Sequence, residues 1–322
     1  FALYAVTAQR GASWQDSGEF QYRVLAGDYE WHSGIARAHP LYIGLARAFV
    51  GALSAVNGLY AVTLFSGVGM AVALSFLMAA VGRLTGSVWA MVLAAVTLGL
   101  SHMAWWMACM AEVYTWSLAC LMIEVYCLVR FLDGLRPGWM VVLMGVNGIH
   151  AAIHNFAFLG LPVYGVLLAI EGGRSLCGAG SERSRVWLRY GLLMGGVALA
   201  WTVGAWPLLR LAAAGVAEGN GFGGTLKSVL FGKGYEQVVL GVGRSSCRFA
   251  LANYALASVS LLNPCWMLAG LGWRGAEDQA VGLVQRGDGL GTEVVTLQAH
   301  DVDATHLGGV ALDEHVGGDV MV

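Results

Sequence analysis

GLYAVTLFSGVGMAVALSFLMAAV, residues 58 to 81, runs for 24 residues without one charged side chain. A helix rising about 1.5 Å per residue needs about 20 such residues to cross ~30 Å of hydrocarbon, so this stretch reads as a membrane-spanning helix. Val88 to Met107 and Leu188 to Leu209 repeat the pattern with little charge. The whole chain agrees: 57% of its 322 residues are hydrophobic and 12% are charged, against about 25% charged in a soluble domain. Further spans are expected near residues 111–132, 138–153, 155–170 and 249–272. The fold class that follows is all-α, a polytopic transmembrane helix bundle.

The net charge of −2 supplies no basic field for a polyanion, which sets nucleic acid aside as a partner. The six cysteines lie in or beside apolar segments without the paired spacings of a zinc site or a disulfide framework, and read as small core residues. The first eight residues are apolar before Gln9 and Arg10 and look like the end of a truncated first helix. Residues 1–272 form the expected transmembrane domain, and residues 275–322, mixed Gly, Val and Asp, read as a disordered or low-complexity tail.

Arg83, then Arg130 and Arg136, then Arg174, Arg183, Arg185 and Arg189 fall at alternate connections, which the positive-inside rule places in the cytoplasm. The other connections then face outward. Residues 9–40 form a polar extramembrane loop; to join the outward set, the run from Leu41 to Val56 must enter the membrane without crossing it.

Four places carry candidate chemistry. In Trp14-Gln15-Asp16-Ser17-Gly18-Glu19-Phe20, the carboxylates of Asp16 and Glu19 would share a helical face just outside the membrane. There they can take a proton from an acceptor hydroxyl or hold a cation; the plain alternative is a variant capping box. Ala38-His39-Pro40-Leu41-Tyr42 opens a helix, with His39 able to hydrogen-bond a phosphate or sugar hydroxyl, or simply marking a helix start with an interfacial tyrosine. Glu112 in Ala111-Glu112-Val113-Tyr114 is an acid at the edge of apolar sequence, functional by default or paired structurally with Arg47 or Arg23. Glu124 shares that ambiguity. His150 and His154, four apart, would lie on one helical face and hydrogen-bond in a polar bundle interior or hold a metal; the zinc-protease glutamate after the first histidine is absent. Gly219-Asn220-Gly221-Phe222-Gly223-Gly224 reads as a flexible connection, and Gly191 with Gly195 as a small-xxx-small packing pair. His300, His306 and His315 belong to the tail.

The order of Asp-Ser-Gly-Glu, His-Pro-Leu-Tyr and Ala-Glu-Val-Tyr across residues 1–272 resembles the GT-C glycosyltransferase superfamily, in the branch related to the endoplasmic-reticulum protein O-mannosyltransferases and their uncharacterised bacterial relatives. His39-Pro40-Leu41-Tyr42 is a shortened form of that family's motif. The resemblance implies an inverting transfer of a sugar, in the manner of a mannosyltransferase, from a polyprenyl-phosphate-linked donor to a protein or lipid hydroxyl. It places the reaction on the extracytoplasmic side of a bacterial inner membrane or of the endoplasmic reticulum membrane. It further implies that Asp16, ahead of Glu19, is the catalytic base or a metal-binding acid, which leaves a divalent cation open. Donor and acceptor would be held by His39, Tyr42, Glu112, Tyr114, His150 and His154, with Arg10, Arg23 or Arg37 on the phosphate. A transporter or channel using Glu112, His150 and His154, or an inactive membrane scaffold, are the competing readings.

Overall fold

The computed structural model describes residues 1–29, 34–134, 136–177 and 183–231. The chain divides into two units, Phe1–Trp266 and Met267–Val322. The span expected at 249–272, the tail and its three histidines lie outside the described residues.

Twelve α-helices are described: α1 Ala2–Thr7, α2 Gln15–Ala26, α3 Pro40–Ala52, α4 Gly58–Thr85, α5 Val88–Gly99, α6 His102–Cys109, α7 Tyr114–Leu132, α8 Pro137–Ile153, α9 Leu161–Cys177, α10 Arg183–Gly204, α11 Trp206–Gly215 and α12 Gly221–Phe231. No strand occurs among the described residues. Four helical segments, 58–85, 114–132, 155–175 and 184–204, are long and apolar enough to cross a membrane, or five if the bent pair α5 and α6 forms one span. The protein is a multi-pass membrane protein. Helix α10 leaves Trp187, Leu188, Leu192, Leu199 and Val203 more than half exposed, a stripe that suits lipid far better than water.

Local sequence sets the boundaries. Asn57 caps α4 by accepting from the amides of Leu59 and Tyr60, and Gly86 ends it in the left-handed conformation, φ 65°. Helices α5 and α6 meet at a 66° bend. Tyr4 from α1 donates to the carbonyl of Gly99 there at 2.7 Å, supplying a partner for a carbonyl at the helix end. Helix α10 ends before Trp206-Pro207 opens α11, so the span expected to run to Leu209 is two helices, because proline cannot continue the first.

Helices α4, α7, α8 and α10 pack in that order, with α5 and α6 against α4 and α9 against α10. The glycines that allow close approach are not Gly191 and Gly195, beside which a Cβ would meet open space. A Cβ on Gly148 would stand 2.3 Å from the Trp201 carbonyl oxygen, and one on Gly204 2.3 Å from that of Gly145. The small-residue seam therefore joins α8 to α10, and the sequence expectation is corrected on that point. Residues 219–224 are likewise not a loose connection: a π turn, Val216–Asn220, leads into α12, with Gly219 at φ 91° and Gly221 at φ 64°. Cys109, Cys120 and Cys127 are free and buried, as small core residues.

Helix α3 has 13 residues, about 20 Å of rise, too short for ~30 Å of hydrocarbon. It packs with α2 against α4 and α8 at one end of the bundle. The segment before Glu112 meets the first loop there directly, since Gln9 donates its amide to the Cys109 carbonyl at 3.0 Å. Loop one and Glu112 thus share an end of the bundle, as the short-helix reading of residues 41–56 requires.

Candidate functional site

At that end, a cavity of about 440 Å³ is lined by Asp16, Glu19, Phe20, Ala36, Arg37, His39, Val113, Tyr114, His154, Asn155, Phe156, Phe158, Leu159 and Leu230. The volume falls within the range of small-molecule sites. Five separate stretches build it: α2, the turn before α3, the start of α7, His154 with the 3-10 turn Asn155–Leu159 after α8, and α12 through Leu230.

Asp16 and Glu19 occupy the first turns of α2 and do share a face toward the cavity. Asp16 is 65% exposed and lies 3.5 Å from the Arg37 guanidinium. Glu19 is less exposed and stands 3.8 Å from Arg23. Partial burial pushes the Glu19 carboxyl above the ordinary carboxylate range, against the opposing pull of Arg23 and Arg37. The residue preceding Asp16, Gln15, has φ 53°, and His39 has φ 47°. The left-handed region is unfavourable for both side chains; Gln15 opens the helix that carries Asp16 and Glu19, and His39, at the start of α3, itself lines the cavity. Trp14 stands at the N-cap of α2 without a side-chain cap hydrogen bond, so the capping-box alternative fails.

His39 and His154 stack with ring centroids 5.1 Å apart and planes 19° apart. Their tautomers follow from their partners. His39 Nδ1 lies 2.8 Å from the Ile153 carbonyl oxygen, which can only accept, so Nδ1 carries the proton and Nε2 keeps its lone pair. His154 Nδ1 accepts from the Phe156 amide at 3.1 Å, so the neutral ring carries its proton on Nε2. Burial lowers His39 to about 4 and His154 to about 3, with the neighbouring histidines adding to the second shift. At neutral pH the pair is uncharged, one ring accepting and the other donating. Tyr114 and Phe156 flank His154, at 5.2 and 4.2 Å between centroids.

Other expected site residues support the cavity from behind without lining it. Tyr42 is fully buried and edge-on to Phe20 at 5.3 Å; it is core. Glu112 Oε1 accepts from Ser17 of α2 at 2.5 Å, while its backbone is held by Ser66 of α4 through both amide and carbonyl. Its other oxygen, Oε2, is buried with no hydrogen-bond partner among the described residues, and burial raises its carboxyl above the usual range. The arginine partners expected for it are elsewhere. Arg47 points to the carbonyls of Val24 and Leu25. Arg23, 1% exposed, donates to the carbonyls of Arg37 and Ala38 at 3.1 and 2.7 Å. It fastens the turn that carries Arg37 and His39, and Arg37 is the arginine that lines the cavity.

His150 departs furthest from expectation. It does not share a surface with His154, because α8 ends at Ile153 and His154 turns out in an extended conformation, φ −154° and ψ 140°. His150 is sealed between helices instead, with Nε2 2.7 Å from Ser117 Oγ and Nδ1 2.8 Å from Glu124 Oε1. Glu124 Oε2 accepts from Tyr164 at 2.5 Å and Asn147 at 3.2 Å, and Trp201 donates to Asn147 at 3.1 Å. Of the two readings of that histidine pair, hydrogen bonding inside the bundle holds for His150. Among the described residues, no group of three or more His, Cys, Asp or Glu side chains is arranged to hold a metal ion.

No family model, curated protein or solved structure matches this chain. The site stands on its own geometry. Its lining is mixed: Asp16, Glu19 and Arg37 supply charged groups, and Phe156, Phe158, Leu159 and Leu230 supply apolar surface. Leu159 and Phe156 are 76% and 51% exposed. One residue of this arrangement had no single-residue signature, Ser17, which ties α2 to Glu112; Asn155, next to His154 in the sequence, donates to the Leu230 carbonyl at 3.2 Å.

Proposed function

We propose that the protein is a membrane glycosyltransferase that moves a sugar from a polyprenyl-phosphate-linked donor to a protein or lipid hydroxyl. The observation that carries this reading is the mixed lining of the cavity: charged groups, a neutral histidine pair and apolar side chains meet in one space at the end of a helix bundle. A lipid-linked sugar has the matching two halves. Its chain lies along Phe156, Leu159 and Leu230, and its phosphate meets Arg37, whose planar fork suits phosphate oxygens.

In the reaction proposed, the acceptor oxygen forms a bond to the anomeric carbon on the face opposite the phosphate. The bond from that carbon to the phosphate oxygen breaks, and the leaving phosphate keeps the electron pair. The acceptor proton passes to a carboxylate. Glu19 suits that step better than Asp16, because its raised proton affinity brings it nearer to neutral operating pH. Asp16, mostly solvated and beside Arg37, orients the guanidinium that balances charge on the leaving phosphate. His39 Nε2 accepts from a sugar hydroxyl and His154 Nε2–H donates to one.

The test is transfer from a radiolabelled polyprenyl-phosphate sugar in membranes containing equal amounts of each variant. Glu19→Gln is expected to lower turnover by at least about 100-fold, the scale of a lost general base, and Asp16→Asn by less. Wild-type turnover in both variants would remove this function from the cavity.

A further inference from the structure

Where α4 and α7 end and α8 begins, at the end of the bundle away from the carboxylates and histidines, a second cavity of about 140 Å³ is lined by Arg83, Arg130, Asp133, Gly134, Arg136 and Trp139. A water molecule takes about 30 Å³ of liquid volume, so the space is several times that of one water. Three guanidiniums face one carboxylate there. Arg83 is committed to Asp133 through both Nε and Nη2. Arg130 lies over the Trp139 ring, 4.7 Å from its centroid, and donates to the Tyr126 hydroxyl at 3.0 Å. Neither Arg130 nor Arg136 has a carboxylate partner among the described residues.

Helix electrostatics explain only part of this. Arg83 and Arg130 sit in the last turns of α4 and α7, where the negative end of the helix dipole welcomes a cation. Arg136 is the N-cap of α8, the positive end of a 17-residue helix, where a cation is disfavoured. A second guanidinium nearby adds to the repulsion. An anion in the cavity reverses both terms at once, and Arg130 is already held in place by its stacking on Trp139.

We propose that this cavity binds a phosphate mono- or diester, supplied by an anionic lipid headgroup or by a soluble phosphate ester. Guanidinium forks match phosphate oxygens bidentately, and basic pockets between spanning helices are the usual setting for headgroup phosphates. The inference does not depend on the sugar-transfer reading, since no residue is shared between the two cavities.

Native mass spectrometry of the full chain released from detergent, with phosphatidylglycerol or phosphatidylcholine added, tests it. Retention of phosphatidylglycerol is expected to fall at least about tenfold in Arg136→Gln and further in the Arg130→Gln, Arg136→Gln double variant, the scale of a lost charged hydrogen bond. Arg189→Gln, exposed on α10, should match the wild type. Glycerol 3-phosphate is the soluble arm. Displacement of the lipid by millimolar glycerol 3-phosphate, lost in the variants, identifies a soluble ester as a ligand of the same site; retention of the lipid identifies the headgroup. Because Arg136 makes no ion pair among the described residues, its variant should keep the wild-type melting temperature without lipid. Equal retention of both phosphate probes by wild type and double variant would overturn the proposal.

Discussion

His39 and His154 are neutral in the folded protein because burial lowers them to about 4 and about 3. In the unfolded chain each titrates near 6.5. The unfolded state therefore binds more protons between those values, and the stability the pair contributes is complete above pH ~6.5 and lost as pH falls toward 4. Thermal unfolding in detergent between pH 7.5 and 4.5 should show the melting temperature dropping below pH ~6.5. His39→Gln should flatten that slope by up to about 1.4 kcal/mol per pH unit. An unchanged slope would mean that His39 is solvated, not enclosed. The same neutrality serves the proposed chemistry, since an imidazolium pair 5.1 Å apart would repel itself and lose its acceptor nitrogen.

Sequence reading found these residues unevenly, for physical reasons. Asp16, Glu19, His39, Tyr114 and His154 were legible because polar groups stand out against apolar helices, and all five line the cavity. Tyr42, Glu112 and Arg23 were legible as unusual but not as supports, because a hydroxyl, an acid or a guanidinium looks the same whether it meets a ligand or a backbone carbonyl. His150 was misplaced by one helical boundary: the four-residue spacing assumed that α8 continues through His154. The partner of His150 could have been found. Ser117 and Glu124 are seven apart on α7, and Asn147 and His150 three apart on α8, two polar stripes of helical period that need each other in an apolar bundle.

Helix packing depends on where glycine is needed, not on how often it occurs. Among helices, α8 and α10 approach so closely that a methyl group on Gly148 would meet backbone atoms of Trp201 and Ala205 at 2.3 and 2.9 Å. Backbone cannot swing aside as a side chain can, so the helices must separate. Gly148→Ala should destabilise the protein by about 1–3 kcal/mol, the usual range for overpacking. Gly191→Ala and Gly195→Ala, which face open space, should be neutral or stabilise by roughly 0.5–1 kcal/mol through helix propensity. Melting temperatures of the three variants in one detergent separate the outcomes. Equal effects would place the α8–α10 seam elsewhere. The spans at 58–85, 114–132 and 155–175 were legible from apolar run length alone, whereas the bend between α5 and α6 and the break before Trp206-Pro207 were not. The glycine seam was not, because small-xxx-small spacing does not say which of several faces meets a neighbour.

The whole molecule's arrangement turns on α3. If that 13-residue helix enters from one side and returns, α2 and the start of α7 meet on the same side of the membrane. Their direct contacts, Ser17 to Glu112 and Gln9 to Cys109, require this. Were α3 to cross, the α2 carboxylates and His39 would be separated from Tyr114 and His154 by the full bilayer, and a joint cavity would be impossible. Single cysteines at Ala12 and Glu218, both exposed near the cavity end, and at Thr85 and Gly134, exposed at the arginine end, decide the matter. In a background lacking the six native cysteines, a membrane-impermeant maleimide added to sealed, oriented vesicles should label the first pair from one side. It should label the second pair only after permeabilisation, or the reverse for inverted vesicles. Labelling of Ala12→Cys together with Thr85→Cys, and apart from Glu218→Cys, would put α2 on the arginine side and dismantle the cavity.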